Sequence, residues 1–481
     1  MKPTGEQAEI VAAFGTVRNL VIEAGAGTGK TSTLRMLAAA APKSRGIYVA
    51  YNRAIADDAK KTFPRSVRCA TAHGLAFQAI GKRYGHRLRG PRVPARDTAR
   101  VLRIREPVKL DSGLILAPQQ VARIVMETVG RFCHSADPEP RAWHVPVKPG
   151  IVPGDMAALT AEVLPLAGRA WVDIASVDGQ LRFSHDCYLK MWQLSRPTLP
   201  ADYVLLDEAQ DANPVVADII ESQHGAKRVL VGDRCQAIYG WRGAIDAMGR
   251  FAAEAHLHLS QSFRFGAAVA AEANKWLSVL DSPLRLRGYD RINSVVEPAA
   301  AAAAVLCRTN AEAVSEVMDV MDDGQRAALV GGGGAIKRLA QAAITLKAGL
   351  GTDHPELFAF RTWGELQEYV EHDAAGADLK VFVRLVDTHG PDVIIATMDQ
   401  LSDESSADVV VSTAHKAKGR EWDSVRIAGD FQEPKQPENE PRPKIPDAEA
   451  MLAYVAVTRA RLTLDRTGLS WVDSWLPGVA R

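Results

Sequence analysis

Neither sign of charge dominates this chain: 58 Lys and Arg stand against 57 Asp and Glu, a formal net charge of +1. No global basic field announces a nucleic-acid partner, so any such surface has to be local. Cysteine is scarce and scattered. Cys69, Cys133, Cys187, Cys235 and Cys307 form no CxxC pair, which argues against a zinc site or a disulfide framework and for a reducing compartment. The first residues, MKPTGEQ, carry no apolar signal core, and the longest small-apolar run, Ala299 to Cys307, is far too short to cross a bilayer. No internal repeat is visible. What is there is a soluble composition, 47% hydrophobic and 24% charged, on 481 residues. That is more than one core holds, so two or more globular units are expected, in an intracellular protein without membrane contact.

The most informative stretch is Asn19 to Thr31, NLVIEAGAGTGKT. Leu20, Val21 and Ile22 are a short apolar run of strand type, and Ala24-Gly25-Ala26-Gly27-Thr28-Gly29 turns into Lys30, Thr31 and good helix formers. This is the strand, phosphate loop and helix of a P-loop nucleoside triphosphatase. Glycines let backbone N–H groups converge on phosphate oxygens, and the helix N-terminus adds its positive dipole end. Lys30 is expected on the β- and γ-phosphates, with the Thr31 hydroxyl on Mg²⁺. Ala24 stands where the pattern usually has Gly.

Around this stretch the chain alternates strands and helices. Residues 4–14 read as a helix capped by Thr4, with Gln7 completing a capping box. Gly46 to Tyr51 and Val67 to Thr71 read as strands, with Asn52 and Ala72-His73-Gly74 at their carboxyl ends. Tyr203 to Leu206 and Arg228 to Gly232 continue the pattern. This predicts a doubly wound parallel sheet with ligands at the carboxyl ends of its strands. Between Lys82 and Arg105 nine Lys or Arg face one acidic residue, Asp97; a duplex guide and a solvated helix face are equally open. Residues 85–186 interrupt an unfinished sheet and read as an inserted, mainly helical subdomain. A second α/β pattern takes in Ala304 to Cys307, Ala311 to Met321, Ala328 to Val330, Val409 to Ser412 and Val425 to Ala428. Gly331 to Gly334 reads as a flexible turn, residues 335–405 as a second insertion, Gln432 to Pro446 as a surface loop, and Ala448 to Leu462 as a buried helix. The expected domains are a first core (1–84 and 187–258) with insertion 85–186, and a second core (259–334 and 406–481) with insertion 335–405.

The strand before Asp207-Glu208-Ala209-Gln210 presents an acidic pair suited to a second Mg²⁺ anchor (Asp207) and a carboxylate that positions or deprotonates water (Glu208). Gln236, after the next strand and Asp233, suits a γ-phosphate sensor. Arg264, and a second Arg from Thr458-Arg459-Ala460-Arg461, are candidates for stabilising charge on a transferred phosphoryl group, a surface or structural Arg being the other reading of each. Tyr239, Trp241 and Arg242 form an aromatic and cationic cluster. Core packing and an exposed base-stacking platform are both open to it, and its flanking glycines and Arg242 favour the platform. His73 after Thr71, and His415 after Thr413, are placed to meet phosphodiester oxygens, or to serve as structural histidines.

Assembled in order, these stretches resemble superfamily 1 helicases of the UvrD/Rep/PcrA type, from Gln7 to Arg461. The match runs through AGAGTGKT, VAYNRAIA, ATAHGLAF, LLDEAQD, VGDRCQAIYGWRGA, SQSFRF, STAHKAKGREWD and YVAVTRAR. YNRAIA, QSFRFG and HKAKGREWD are spelled most like the F-box DNA helicase branch, but the chain starts at the glutamine motif, so no F-box and no ubiquitin-ligase role are expected. The resemblance implies two RecA-like cores, each a parallel sheet flanked by helices, with ATP and Mg²⁺ as cofactors. It also implies 3′→5′ movement on single-stranded DNA, unwinding at single-strand/duplex junctions, and a role in repair, recombination or replication. A cytoplasmic location is expected, nucleoid-associated in a prokaryotic or viral setting. The resemblance assigns the second phosphoryl-stabilising role to Arg459, Gln7 to adenine, Phe263 to stacking on it, and Gly419 and Glu421 to the nucleotide, with Glu421 on the ribose. Asn52, Thr71, His73, Tyr239, Trp241, Arg242, Thr413 and His415 fall to DNA. Phe263 replaces the Tyr common in UvrD. The segment between the fourth and fifth motifs is also much shorter, which leaves open a translocase that remodels protein–DNA complexes with little strand separation.

Overall fold

The computed structural model describes residues 2–90, 93–148, 151–238, 247–299, 301–352, 354, 356–357, 360–372, 377–435 and 443–476. The chain divides into two compact units, Met1–Ala24 with Gly29–Leu259, and Gly25–Thr28 with Ser260–Arg481.

The first unit opens with helix Gly5–Thr16, whose N-terminus is closed by the expected reciprocal box between Thr4 and Gln7. Strands β1 (Asn19–Ala24), β2 (Gly46–Ala50) and β3 (Val67–Thr71) follow, then the hairpin β4 (Val108–Lys109) and β5 (Ile115–Leu116), then β6 (Tyr203–Leu206), β7 (Lys227–Gly232) and β8 (Ala255–Leu259). Apart from the hairpin these form one sheet in the order β3-β2-β6-β7-β1-β8, with every neighbouring pair parallel. The continuous apolar runs GIYVA and YVLL suit this, because all their residues are buried and both faces of a parallel sheet are covered. The carboxyl ends of β6, β7 and β1 therefore lie side by side.

Between β3 and β6 runs the mainly helical segment. Its helix Pro118–Cys133 starts on a proline and buries Val121, Ile124, Val125, Thr128, Val129 and Phe132 along one stripe. That stripe shares a hydrophobic core with Val21, Val49 and Val204 of the sheet. In the basic stretch, Arg87 is structural: its guanidinium donates to the carbonyls of Ile174, Ser176 and Leu181 at 2.8, 2.6 and 2.7 Å.

The second unit carries β9 (Val295–Val296), β10 (Ala304–Cys307), β11 (Ala327–Leu329), β12 (Val409–Thr413), β13 (Trp422–Ile427) and β14 (Ala460–Asp465). They form a parallel sheet in the order β11-β12-β10-β13-β14-β9. Gly331 and Gly332 are left-handed, at φ +84° and +70°, and end β11 before helix Gly334–Lys347 begins. Helices Trp363–His372, Ala377–His389 and Pro391–Asp399 complete the segment between β11 and β12.

One expected element is corrected. The buried helix predicted to run to Leu462 spans Asp447–Val457, and Ala460–Leu462 belongs to β14. Thr458 ends the helix, its hydroxyl donating back to the carbonyls of Tyr454 and Val455 at 2.8 and 3.0 Å. From there Ala460 pairs with Trp422 of β13 and, past a shift of register, Thr463, Leu464 and Asp465 pair with Ser424, Val425 and Arg426. The two-residue strand β9 and the hairpin escape sequence reasoning because each is too short to show a period. Among the described residues no helix is long and apolar enough to cross a membrane.

Candidate nucleotide and nucleic-acid site

β1 ends at Ala24, fully buried and opposite Leu259 of β8. An extended strand end tolerates a Cβ there, which accounts for Ala where Gly is usual. The turn needs glycine further on: Gly27 and Gly29 have φ of +72° and +82°. The Thr28 hydroxyl closes the loop on the Gly25 carbonyl at 2.9 Å. Helix Lys30–Ala40 follows, with Lys30 and Thr31 in its first turn.

Acidic groups from the end of β6 meet the first turn of this helix. Lys30 Nζ lies 3.2 Å from Glu208 Oε1, and the Thr31 hydroxyl donates to Asp207 Oδ2 at 3.2 Å. Glu208 has the left-handed backbone rare for a residue with a side chain, φ +51°. In that conformation its own N–H donates to Asp207 Oδ1 at 2.9 Å. Gln210 then ties the end of β6 to the end of β7: its Nε2 donates to Glu208 Oε2 at 2.6 Å and its Oε1 accepts from the Asp233 N–H at 3.0 Å. Gln236 Nε2 donates to Asp233 Oδ2 at 2.6 Å, both side chains being buried. Gln7 is also buried, its Nε2 donating to Thr33 Oγ1 at 3.2 Å on the helix that follows the loop.

Burial pulls the Lys30 ammonium down, but Glu208, Asp233 and Asp207 around it raise it above its ordinary value. Asp207 is pushed up, by burial first and by Glu208 second, against the pull of the Tyr48 hydroxyl and Lys30. An ammonium group in the first turn of a helix, behind a glycine-bearing turn, suits a phosphate group. Thr31 and Asp207 offer hard oxygen donors 3.2 Å apart. Among the described residues no group of three or more His, Cys, Asp or Glu is arranged to cage a metal. The donor set thus fits a Mg²⁺ that keeps waters and phosphate oxygens as its other ligands.

The second unit gathers its candidates separately. Arg264 Nε donates to Glu421 Oε2 at 2.7 Å, and Arg264 Nη1 to the Thr458 carbonyl at 3.1 Å. Arg459 is 1% exposed and donates to the Val455 carbonyl and the Thr458 hydroxyl at 2.8 and 2.9 Å. Gly419 is left-handed, at φ +84°. Phe263 stands edge-to-face with Tyr289, centroids 5.4 Å apart.

The candidates for DNA occupy strand ends in both units. Asn52 caps helix Arg53–Thr62, accepting from the Ile55 N–H at 2.9 Å. Thr71 caps helix Ala72–Ala79 and Thr413 caps helix Ala414–Ala417, accepting from Gly74 and Lys416 N–H at 2.9 and 3.4 Å. His415 lies in the Thr413-capped turn. His73 Nε2 is 3.0 Å from Asp186 Oδ1, and the other oxygen of Asp186 is 3.4 Å from His134 Nε2. Burial raises the Asp186 carboxyl, but hydrogen bonds from His134 and His73 outweigh it and hold the group below the usual range. Thr71, His73, His134 and Asp186 line a cleft of about 840 Å³ that also reaches Asp207 and Glu208. Tyr239, Trp241 and Arg242 lie outside the described residues.

Sequence reasoning missed Tyr48, Gln210, His134 and Asp186. Gln210 had a signal, the DEAQ spelling; the others act across more than a hundred residues or from the inserted segment.

Comparison with known proteins finds two domain matches and two curated relatives. A family model for an AAA domain matches residues 7–242, and one for the UvrD-like helicase C-terminal domain matches residues 392–467. F-box DNA helicase protein 1 of Schizosaccharomyces pombe is 29% identical over 506 residues, covering 92% of this chain and 55% of the relative. F-box DNA helicase 1 of Gallus gallus is 29% identical over 484 residues, covering 92% and 46%. The chain thus spans about half the length of these curated relatives. With the loop, the acidic pair and both domain matches in one chain, it is similar to UvrD-like superfamily 1 helicases over most of its length.

Proposed function

We propose that the chain is an ATP-dependent DNA helicase that moves 3′→5′ on single-stranded DNA and separates strands at single-strand/duplex junctions. The observation that carries this reading is the convergence of Lys30 and Thr31, which follow β1, with Asp207 and Glu208, which follow β6. Lys30 and the loop from Ala24 to Gly29 bind the phosphates, and Gln7 and Phe263 take the adenine. Thr31 and Asp207 hold Mg²⁺, which neutralises charge on the phosphates when bound. Glu208, oriented by Gln210, positions and deprotonates the attacking water, and Gln236 senses the γ-phosphate. Arg264 and Arg459 stabilise charge on the transferred phosphoryl group, an effect worth roughly 10³–10⁵ in rate in related chemistry. In this reading Glu421 exchanges Arg264 for the ribose, with Gly419 beside it. Asn52, Thr71, His73, Tyr239, Trp241, Arg242, Thr413 and His415 grip the DNA backbone and bases.

The test uses a short duplex with a single-stranded tail on one end only, ATP and Mg²⁺. Unwinding of the 3′-tailed substrate and not the 5′-tailed one is expected; the opposite preference overturns the polarity. The short segment between β11 and β12 favours a second reading, a translocase that strips bound proteins without unwinding. It predicts streptavidin displacement from biotinylated single strands with the duplex left intact.

A further inference from the structure

The Asp207 carboxylate is held from a side that no motif announces. Tyr48 sits in the middle of β2, GIYVA, in which every residue is buried, and its ring packs on Phe63 with centroids 4.7 Å apart. A phenol so enclosed needs a partner for its hydroxyl. That partner is Asp207, whose Oδ2 accepts from Tyr48 at 2.6 Å across 159 positions of sequence. The Thr31 hydroxyl donates to the same oxygen at 3.2 Å, and the Glu208 N–H donates to the other at 2.9 Å. A helix, a strand and a turn thus fix both oxygens, and hence the rotation, of one carboxylate.

We propose that Tyr48 is a positioning residue of the divalent-cation site: it holds Asp207, and through Asp207 the Thr31 hydroxyl, in the arrangement that receives Mg²⁺ with a nucleotide. The proposal rests on the nucleotide reading above. A hydroxyl that gives its proton to a carboxylate keeps its lone pairs for a cation, so the orientation of Thr31 depends on Asp207 staying in place. Asp207 is buried beside Glu208, and repulsion between two carboxylates works to turn it away. Tyr48 resists that turn through its hydrogen bond, at a fully buried position where no solvent can substitute for it. Outer partners of this kind are worth roughly 10–100-fold in metal affinity.

Tyr48→Phe removes the donor and keeps the ring. The experiment is binding of a fluorescent ATP analogue to the full chain, once with Mg²⁺ titrated in and once in EDTA, with melting temperature followed alongside. The Mg²⁺ concentration giving half the effect is expected to rise about tenfold, while affinity in EDTA, set by Lys30 and the loop, stays at the wild-type value. Tyr48→Met, a second side chain without the donor, guards against a folding defect in either variant and should show the same rise. An unchanged Mg²⁺ requirement, whatever happens to the melting temperature, overturns the proposal and leaves Tyr48 as packing. A wild-type chain that binds no nucleotide in either condition removes the nucleotide reading itself, which is a different failure.

Discussion

Glu208 holds an uncommon backbone, φ +51°, between a buried Asp207 and a buried Gln210. Strain of this kind costs of order 1–3 kcal/mol and persists where the surroundings over-determine it. Here the return is a carboxylate aimed at Lys30 with its second oxygen already held by Gln210. Glu208→Gln should therefore lose about 10²–10⁴ in hydrolysis, the range of a general base, while nucleotide binding survives. Measured turnover within a few fold of wild type would remove Glu208 from that role. Gln210→Ala should show a smaller loss in turnover with little change in nucleotide affinity, because it holds Glu208 and the Asp233 N–H in place; equal losses in both would make Gln210 a packing residue. At this scale the sequence was legible where a residue lies inside a contiguous motif, as Lys30, Thr31 and Asp207 do. It was silent on Tyr48, whose partner is far along the chain and whose strand reads as plain core.

Elements were predictable where one pattern ran long enough to declare itself. Val67–Thr71 and Tyr203–Leu206 were bounded correctly because apolar runs and polar stops coincide. The end of helix Asp447–Val457 was not, since the alanines and valines that fill a buried helix also suit a buried strand. The inserted segment offers two tests of its own elements. His144 beside helix Pro118–Cys133 is 3% exposed, and its Nδ1 accepts the Arg141 N–H at 2.8 Å. Its Nε2 lies 3.2 Å from an Asp137 oxygen without the alignment of a hydrogen bond. Burial, against the pull of Asp137, lowers the imidazole below its ordinary 6.5. The unfolded chain then takes the proton more readily, so stability is present above that value and lost as pH falls through it. Between about pH 7.5 and about pH 5.5 the wild type should lose more melting temperature than His144→Asn; equal losses would contradict this. Asp186 joins helix His185–Leu194 to His73 and His134. Asp186→Ala should raise the DNA concentration for half-maximal stimulation of turnover about tenfold, as loss of a charge-assisted bond implies. An unchanged value would leave those histidines without a share in DNA binding.

Over the whole molecule the charge nearly cancels, so in the proposed function DNA is held by local groups: caps and histidines at strand ends, and Arg or Lys on single faces. Such binding is still dominated by phosphate and weakens with salt. The two sheets and their parallel order were legible from alternating strands and helices, and the family from motifs in order. What joins the motifs, the Tyr48 bond to Asp207 and the Gln210 bridge from β6 to β7, only folding reveals. One measurement reaches the central claim most directly: ATP hydrolysis with and without single-stranded DNA across a salt series, with Lys30→Ala beside the wild type. Strong stimulation by DNA that fades as salt rises is expected of the wild type, and no turnover of Lys30→Ala. Turnover indifferent to DNA, or retained without Lys30, would contradict that claim.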